Sequence, residues 1–147
     1  MKKLVLLIVP ALICGIVLMT GCEKQKPPDL DGFDDIIGCW ADPVYEYDYY
    51  PIAVIRYKKV ETLPDNSPSI KFLKNGTLTE RKNAGWCATP PIAYKDFSGN
   101  WRIQNENIII DVGYWGGKEH RTWEIINVTN TSLTIEVNVE NTQYREK

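Results

Sequence analysis

The stretch Ile70-Lys71-Phe72-Leu73-Lys74-Asn75-Gly76-Thr77-Leu78-Thr79 carries the clearest fold signal in this chain of 147 residues. Apolar and polar side chains alternate on both sides of Asn75-Gly76, as they do in strands with one buried face. Asn-Gly between two such runs is a strong hairpin signal, because both residues tolerate a positive φ. The stretch therefore predicts two antiparallel strands joined by a tight turn at Asn75-Gly76.

The same period of two residues extends along most of the chain from Ile36 onward, and no segment of comparable length shows helical spacing. Short turns separate the alternating runs, which favours a chain that passes back and forth through one sheet. Closing such a sheet removes its exposed edges. We therefore predict an all-β domain over residues 34–147, an antiparallel up-and-down meander closed into a barrel of roughly eight strands. The apolar stripes are Trp101 and Ile103; Ile108, Ile110 and Val112; Trp123 and Ile125; and Leu133, Ile135, Val137 and Val139.

Residues 1–21 have the layout of a secretory signal, with a short positive start, an almost wholly apolar stretch from Leu4 to Leu18, and a small-residue end. The closing residues Met19-Thr20-Gly21-Cys22 resemble the bacterial lipoprotein signal, in which cleavage falls before a cysteine that carries the lipid. The resemblance implies a signal peptide over residues 1–21 and lipidation at Cys22. A retained membrane span is the alternative, since this stretch lies near the lower limit of about 20 apolar residues.

Residues 22–33 are interpreted as a lipidated tether, because Pro27-Pro28 favours extended backbone and most of the other residues are polar. The lipid would make the membrane one partner of the protein and place it in the bacterial cell envelope. Glu23 stands where the inner-membrane retention signal of enteric bacteria has Asp. Delivery to the outer membrane is therefore expected, with the facing leaflet left open.

Charge and cysteine content restrict the possible partners. Loss of Lys2 and Lys3 with the signal leaves 15 basic against 19 acidic residues, a net charge of −4. Without a basic run, nucleic acid is not an expected partner. Two cysteines remain besides Cys22, and export to an oxidising compartment favours a Cys39–Cys87 disulfide. Two free buried thiols or half of a metal site are the alternatives, although a single histidine and no Cys-x-x-Cys speak against a metal.

Several short motifs resemble the lipocalins. Gly38-Cys39-Trp40 resembles the Gly-x-Trp motif at the entry of the lipocalin barrel, which makes Gly38 and Trp40 structural residues. Phe72 to Leu78 resembles the Phe-x-x-Asn-Gly hairpin of bacterial lipocalin-like lipoproteins, and the later Trp-containing hairpins follow in the same order. The resemblance implies an eight-stranded barrel with a cup-shaped interior. Such a barrel is either filled by its own side chains or holds one small ligand.

Two groups of aromatic residues are candidates for ligand binding. Tyr45, Tyr47 and Tyr49 alternate along one strand, where they could line the mouth of a cup, or simply form one aromatic strand face. Tyr114 and Trp115 stand between glycines at an expected hairpin tip, and large exposed aromatics there favour binding.

Catalysis has little support in the sequence, because the single histidine, His120, leaves no spare base for a nucleophile, and no cofactor or metal motif occurs. We therefore expect a binding module for a small apolar or amphipathic ligand. The alternative is a filled barrel that binds a protein partner, as an enzyme inhibitor or a surface adhesion module.

Overall fold

The computed structural model describes residues 32–86 and 89–146, except for the side chains of residues 47 and 48. Within that part of the chain no helix is long and apolar enough to cross a bilayer. Two 3₁₀ turns, Asp34–Ile36 and Val139–Asn141, precede the first strand and follow the eighth. The strands are β1 Gly38–Tyr49, β2 Ile52–Val60, β3 Ser69–Phe72, β4 Thr77–Asn83, β5 Tyr94–Gln104, β6 Asn107–Tyr114, β7 Gly117–Val128, β8 Ser132–Asn138 and β9 Gln143–Glu146.

Eight of these strands form one closed antiparallel barrel. Their order is β6-β5-β4-β3-β1-β2-β8-β7, and pairing of β6 with β7 closes the ring. The ninth strand, β9, pairs with the beginning of β7, from Gly117↔Glu146 to His120↔Gln143. The all-β class and the closed antiparallel barrel that the alternation predicted are thus confirmed.

The chain runs as a meander from β3 to β8, whereas β1 lies between β2 and β3. Residues 61–68 therefore cross β1 to connect the strands on its two sides. Arg81 on β4 holds this crossing, since its Nη1 donates to the carbonyl oxygen of Leu63 at 3.0 Å and to Asp65 Oδ1 at 2.9 Å. Side-chain alternation is compatible with direct pairing of β2 and β3 as well as with β1 between them. Tertiary contacts therefore select the observed order.

The turn at Asn75-Gly76 joins β3 to β4 as expected, but only Gly76 has a positive φ, of 82°. The amide of Gly76 donates to the carbonyl oxygen of Leu73 at 3.0 Å, which makes a turn over residues 73–76 followed by a left-handed glycine. Asn75 contributes differently, because its Oδ1 accepts from the amide of Thr77 at 3.0 Å. The two-residue turn with positive φ at both positions occurs instead at Asn105 and Glu106, between β5 and β6.

The apolar core fills the end of the barrel where β1 begins. The Trp40 side chain is fully buried there, and its Nε1 donates to the carbonyl oxygen of Ile36 at 2.7 Å, which ties the first 3₁₀ turn to the core. The Lys59 ammonium lies 4.8 Å from the Trp40 ring centroid. Gly38 begins β1 at φ +131°, a conformation that favours glycine. The other buried rings at this level are Phe72, Trp101 and Trp123, with Phe72 and Trp101 edge to face at 5.0 Å.

Candidate functional site

Four charged side chains form a layer inside the barrel, above the apolar core. Glu80 and Lys82 follow the buried Leu78 at alternate positions of β4, and Glu119 and Arg121 precede the buried Trp123 in the same way on β7. Lys82 Nζ donates to Glu80 Oε2 at 2.9 Å and also to Glu119 Oε1. Arg121 Nη2 donates to the same Glu80 oxygen at 2.7 Å, while its Nε lies 3.5 Å from Glu119 Oε1. We call these four residues the charged layer.

Both carboxylates of the charged layer are buried, and the cations beside them keep them compatible with that environment. Burial opposes the ionisation of Glu80, but Arg121 and Lys82 together outweigh it and lower the pKa of this carboxyl. Burial also opposes the charge of Arg121, and Glu80 and Glu119 outweigh it and raise the pKa of the guanidinium. Buried ion networks are often no more stable than apolar residues of similar volume, so the charged layer is not explained by stability alone.

Tyr57 on β2 marks the border between the apolar core and the charged layer. Its ring stacks on Trp123 at a centroid distance of 5.7 Å. Burial, and to a lesser extent the charge of Glu80, raise the pKa of its phenol, which therefore stays protonated. The interior thus changes from apolar to charged between two neighbouring levels of side chains.

A pocket of about 450 Å³ opens over the charged layer, at the end of the barrel opposite to the apolar core. Two members of the layer, Lys82 and Glu119, contribute to its wall. The rest of the wall comes from the end of β4, the β6–β7 hairpin and β9. We call it the mouth pocket, and its lining residues are Lys82, Asn83, Gly85, Tyr114, Trp115, Glu119 and Tyr144.

Three aromatic rings line the mouth pocket, and the Tyr114 ring stands nearly at right angles to each of the other two. The Tyr114 ring lies 5.6 Å from that of Trp115 at an interplanar angle of 80°, and 5.4 Å from that of Tyr144 at 74°. Trp115 is 50% exposed and Tyr144 is 63% exposed, so both present ring surface to solvent. Burial, and then the charge of Glu119, raise the pKa of the Tyr144 phenol, which places this ring in the field of the carboxylate.

The Tyr144 ring reaches the mouth pocket only because β9 pairs with β7. A Cβ atom added to Gly117 would lie 2.1 Å from the carbonyl oxygen of Arg145, so a side chain at this position would force the two strands apart. Tyr144 pairs with Glu119 in the same register and thus lies on the same side of the sheet. Glycine at position 117 is therefore what allows Tyr144 to complete the rim.

The aromatic residues predicted from sequence are divided by the structure. Tyr114 and Trp115 line the mouth pocket. Tyr45 and Tyr49 lie on the last part of β1, at the same end of the barrel, where they are 60% and 69% exposed. Neither of them lines the mouth pocket. The side chain of Tyr47 lies outside the described part of the structure.

The charged lining of the mouth pocket was not predicted. The available signal was charge at positions that alternate with core residues, as Glu80 and Lys82 do after Leu78. The neighbouring residues 119 and 120 lie on opposite faces of β7. His120 faces outward, where its Nδ1 lies 2.8 Å from Asp111 Oδ1, while Glu119 faces into the barrel.

The predicted structural and covalent residues are only partly within the described range. Cys39 is buried and bonds to no other sulfur among the described residues, whereas Cys87 and the lipidation residue Cys22 lie outside them. The Cys39–Cys87 pairing therefore stays a prediction. No group of three or more His, Cys, Asp or Glu side chains that could hold a metal ion occurs in residues 32–86 and 89–146.

Fold and site together define a small closed β-barrel with an aromatic rim over a charged interior. Comparisons with models of known families, with curated proteins and with solved structures find no match to this chain.

Proposed function

We propose that this protein is a lipid-anchored, lipocalin-like binding module of the bacterial cell envelope, which takes a small amphipathic ligand in the mouth pocket. The observation that carries the proposal is the aromatic rim directly above a buried charged layer. Small-ligand sites combine apolar and aromatic walls with a few placed polar groups. A volume of about 450 Å³ suits a small ligand.

The charged layer favours an amphipathic ligand over a wholly apolar one. An apolar molecule against Lys82 and Glu119 would remove water from their charged groups without replacing its hydrogen bonds. A ligand with one polar end can bond to these groups while its apolar part packs on the rings. Because the core around Trp40 and Phe72 fills the opposite end, the ligand would bind at the mouth.

Replacing Trp115 by alanine should weaken ligand binding by about tenfold or more, because aromatic anchors at the edge of a pocket carry much of the binding energy. The measurement is native mass spectrometry of the protein purified from its own host, which detects a retained small molecule. Trp86→Ala is the matched control, since Trp86 is 81% exposed but does not line the mouth pocket. Equal retention by wild type and Trp115→Ala, or no retained molecule in any of the three proteins, would contradict the proposal.

A protein partner is the second candidate, and the exposed aromatics of the β1–β2 hairpin favour it. Tyr45, Tyr49 and Tyr50 are 60%, 69% and 71% exposed at the mouth end of the barrel. Exposed Tyr residues are typical of protein interfaces, as an enzyme inhibitor or an adhesion module would need. In that case alanine at Tyr49 or Tyr50 would abolish binding of the partner protein, and Trp115→Ala would leave that binding intact.

The lipid is proposed to be attached at Cys22 alone. Cys22→Ser removes the thiol that would carry the lipid, so this variant should incorporate none of the radiolabelled palmitate that the wild type incorporates in growing cells. Cys14→Ser is the matched control, because Cys14 lies within the apolar part of the signal and would leave with it. A Cys22→Ser protein that still carries the label would show that the lipid is attached elsewhere.

A further inference from the structure

Among the described residues, the charges that line the mouth pocket are balanced, and this restricts the charge of a ligand. One ammonium, that of Lys82, and one carboxylate, that of Glu119, belong to the lining. Glu80 and Arg121 behind them add one more charge of each sign. A ligand with a single net charge would therefore add an uncompensated charge to a neutral, partly buried site.

Both charged groups of the lining keep hydrogen-bonding capacity beyond their contacts with each other. An ammonium group has three N–H donors, and Lys82 uses two of them on Glu80 and Glu119. Glu119 accepts the hydrogen bond of Lys82 with Oε1, and neither Lys82 nor Arg121 donates a hydrogen bond to its Oε2. A ligand can thus be met by a donor and an acceptor of opposite charge in one pocket.

The aromatic rim adds a preference for one kind of cation. The electron-rich faces of Trp and Tyr attract cations within about 6 Å of a ring centroid. The Tyr114 ring stands at 80° to that of Trp115 and at 74° to that of Tyr144, so it forms a corner with each of them. A methylated ammonium group suits such walls, because its charge is spread over apolar methyl groups that pack on ring faces and are weakly hydrated. Primary ammonium groups lose strong hydration there instead.

We propose, on the basis of the function proposed above, that the mouth pocket binds a zwitterion with a methylated ammonium group and a nearby anionic group. The ammonium lies among Tyr114, Trp115 and Tyr144, close to the Glu119 carboxylate. The anionic group, a phosphate or a carboxylate, accepts from Lys82. The pairing leaves the site neutral when occupied and engages the rings as well as both charges.

The test is isothermal titration of the full lipoprotein in a maltoside detergent with phosphocholine and with phosphoethanolamine, each as its glycerol ester. Esterification leaves the phosphate with a single negative charge, so both probes are neutral zwitterions. These probes share the phosphate and differ only in methylation of the nitrogen. Phosphocholine should bind about tenfold tighter, since this is the scale of a partly desolvated cation–π interaction. Choline and inorganic phosphate, which each carry half of the zwitterion, should both bind more weakly than phosphocholine. Equal affinity for the first two probes, or tighter binding of inorganic phosphate, would overturn the proposal.

Variants locate the binding in the mouth pocket. Tyr144→Ala should weaken phosphocholine binding about tenfold. Tyr144 is mostly exposed, so this variant is expected to fold. Trp86→Ala should leave the affinity unchanged. Glu119→Gln should also weaken binding, with its fold checked by circular dichroism because Glu119 is buried. Unchanged affinity in folded Tyr144→Ala would overturn the assignment to this pocket.

Two further measurements distinguish the sources of the zwitterion from each other and the two proposals from each other. Competition of phosphatidylcholine vesicles with soluble phosphocholine would identify a lipid headgroup as a source of the zwitterion, and its absence would identify a free solute. A protein that rejects phosphocholine but retains another molecule from its host in a Trp115-dependent way would overturn the zwitterion and support the binding module. Failure of both measurements would overturn both proposals.

Discussion

Arg121→Leu should lower the free energy of unfolding by about 3–5 kcal/mol, the usual cost of breaking a buried ion network from one side. The guanidinium donates to Glu80 and packs 5.1 Å from the centroid of the Trp123 ring. Its removal leaves Glu80 and Glu119 buried with only the Lys82 ammonium between them. Urea denaturation at neutral pH, followed by tryptophan fluorescence, measures the change.

Two controls show whether burial is the reason for this loss. Arg56→Leu removes a comparable ion pair, with Glu46 at 2.9 Å, but one that lies on the surface. That variant should lose no more than about 1 kcal/mol. The double variant Glu80→Leu with Arg121→Leu removes one charge of each sign and should recover most of the stability. Equal losses from Arg56→Leu and Arg121→Leu would contradict a buried network.

The same network predicts a dependence of stability on acid pH. Because the folded pKa of Glu80 lies below its ordinary value of 4.5, this carboxylate stabilises the folded protein fully above that pH. The stabilisation is lost as the pH falls through the folded pKa. In Arg121→Leu the pKa of Glu80 rises, so the loss between neutral pH and about pH 3 should be smaller than in the wild type. Asp96, whose pKa is lowered by its hydrogen bond to Arg81, adds a loss of the same sign to both proteins.

Trp40→Ala should also destabilise the barrel by about 3–5 kcal/mol, the range seen when a large aromatic residue is removed from a core. The indole is fully buried and its hydrogen bond to Ile36 holds the first 3₁₀ turn against β1. Urea denaturation gives the change in unfolding free energy. Hydrogen exchange should also show faster opening of the amides of Ile36 and Ile37, which bond within that turn.

Two other variants distinguish the loss of the Trp40 hydrogen bond from the loss of its buried ring. Trp40→Phe keeps most of the apolar area and loses the hydrogen bond, so it should cost about 1–3 kcal/mol. Trp86→Ala removes an indole that is 81% exposed and should change stability by no more than about 0.5 kcal/mol. If Trp40→Ala lowered the free energy of unfolding no more than Trp86→Ala does, Trp40 would not be the residue that closes this end of the core.

Much of the fold could be predicted from local patterns, because alternation reports directly which side chains are buried. Leu133, Ile135 and Val137 were predicted on one face of a strand and are all buried in the core. The stripe fails only at Val139, which begins a 3₁₀ turn and is 45% exposed. There the amide of Glu140 donates to Asn138 Oδ1 and so caps the turn, a local interaction that apolar alternation does not report.

Only two of the three rings of the aromatic rim were predictable from the sequence. Tyr114 and Trp115 could be found because large aromatic residues between glycines indicate an exposed turn that binds a ligand. Lys82 and Glu119 could not, since they are 37 residues apart in the chain and meet only across the barrel. Each of them, taken alone, looks like an ordinary solvated charge on a strand.

The class of the fold and the places of its turns follow from local sequence patterns, because side-chain period and turn chemistry act between residues that are close along the chain. Contacts between distant segments, in contrast, place β1 between β2 and β3, bring Tyr144 to the rim through β9, and gather four charges in one interior. These features depend on which strands meet when the barrel closes. Closure joins distant segments through packing and charge pairing, and no local pattern encodes it.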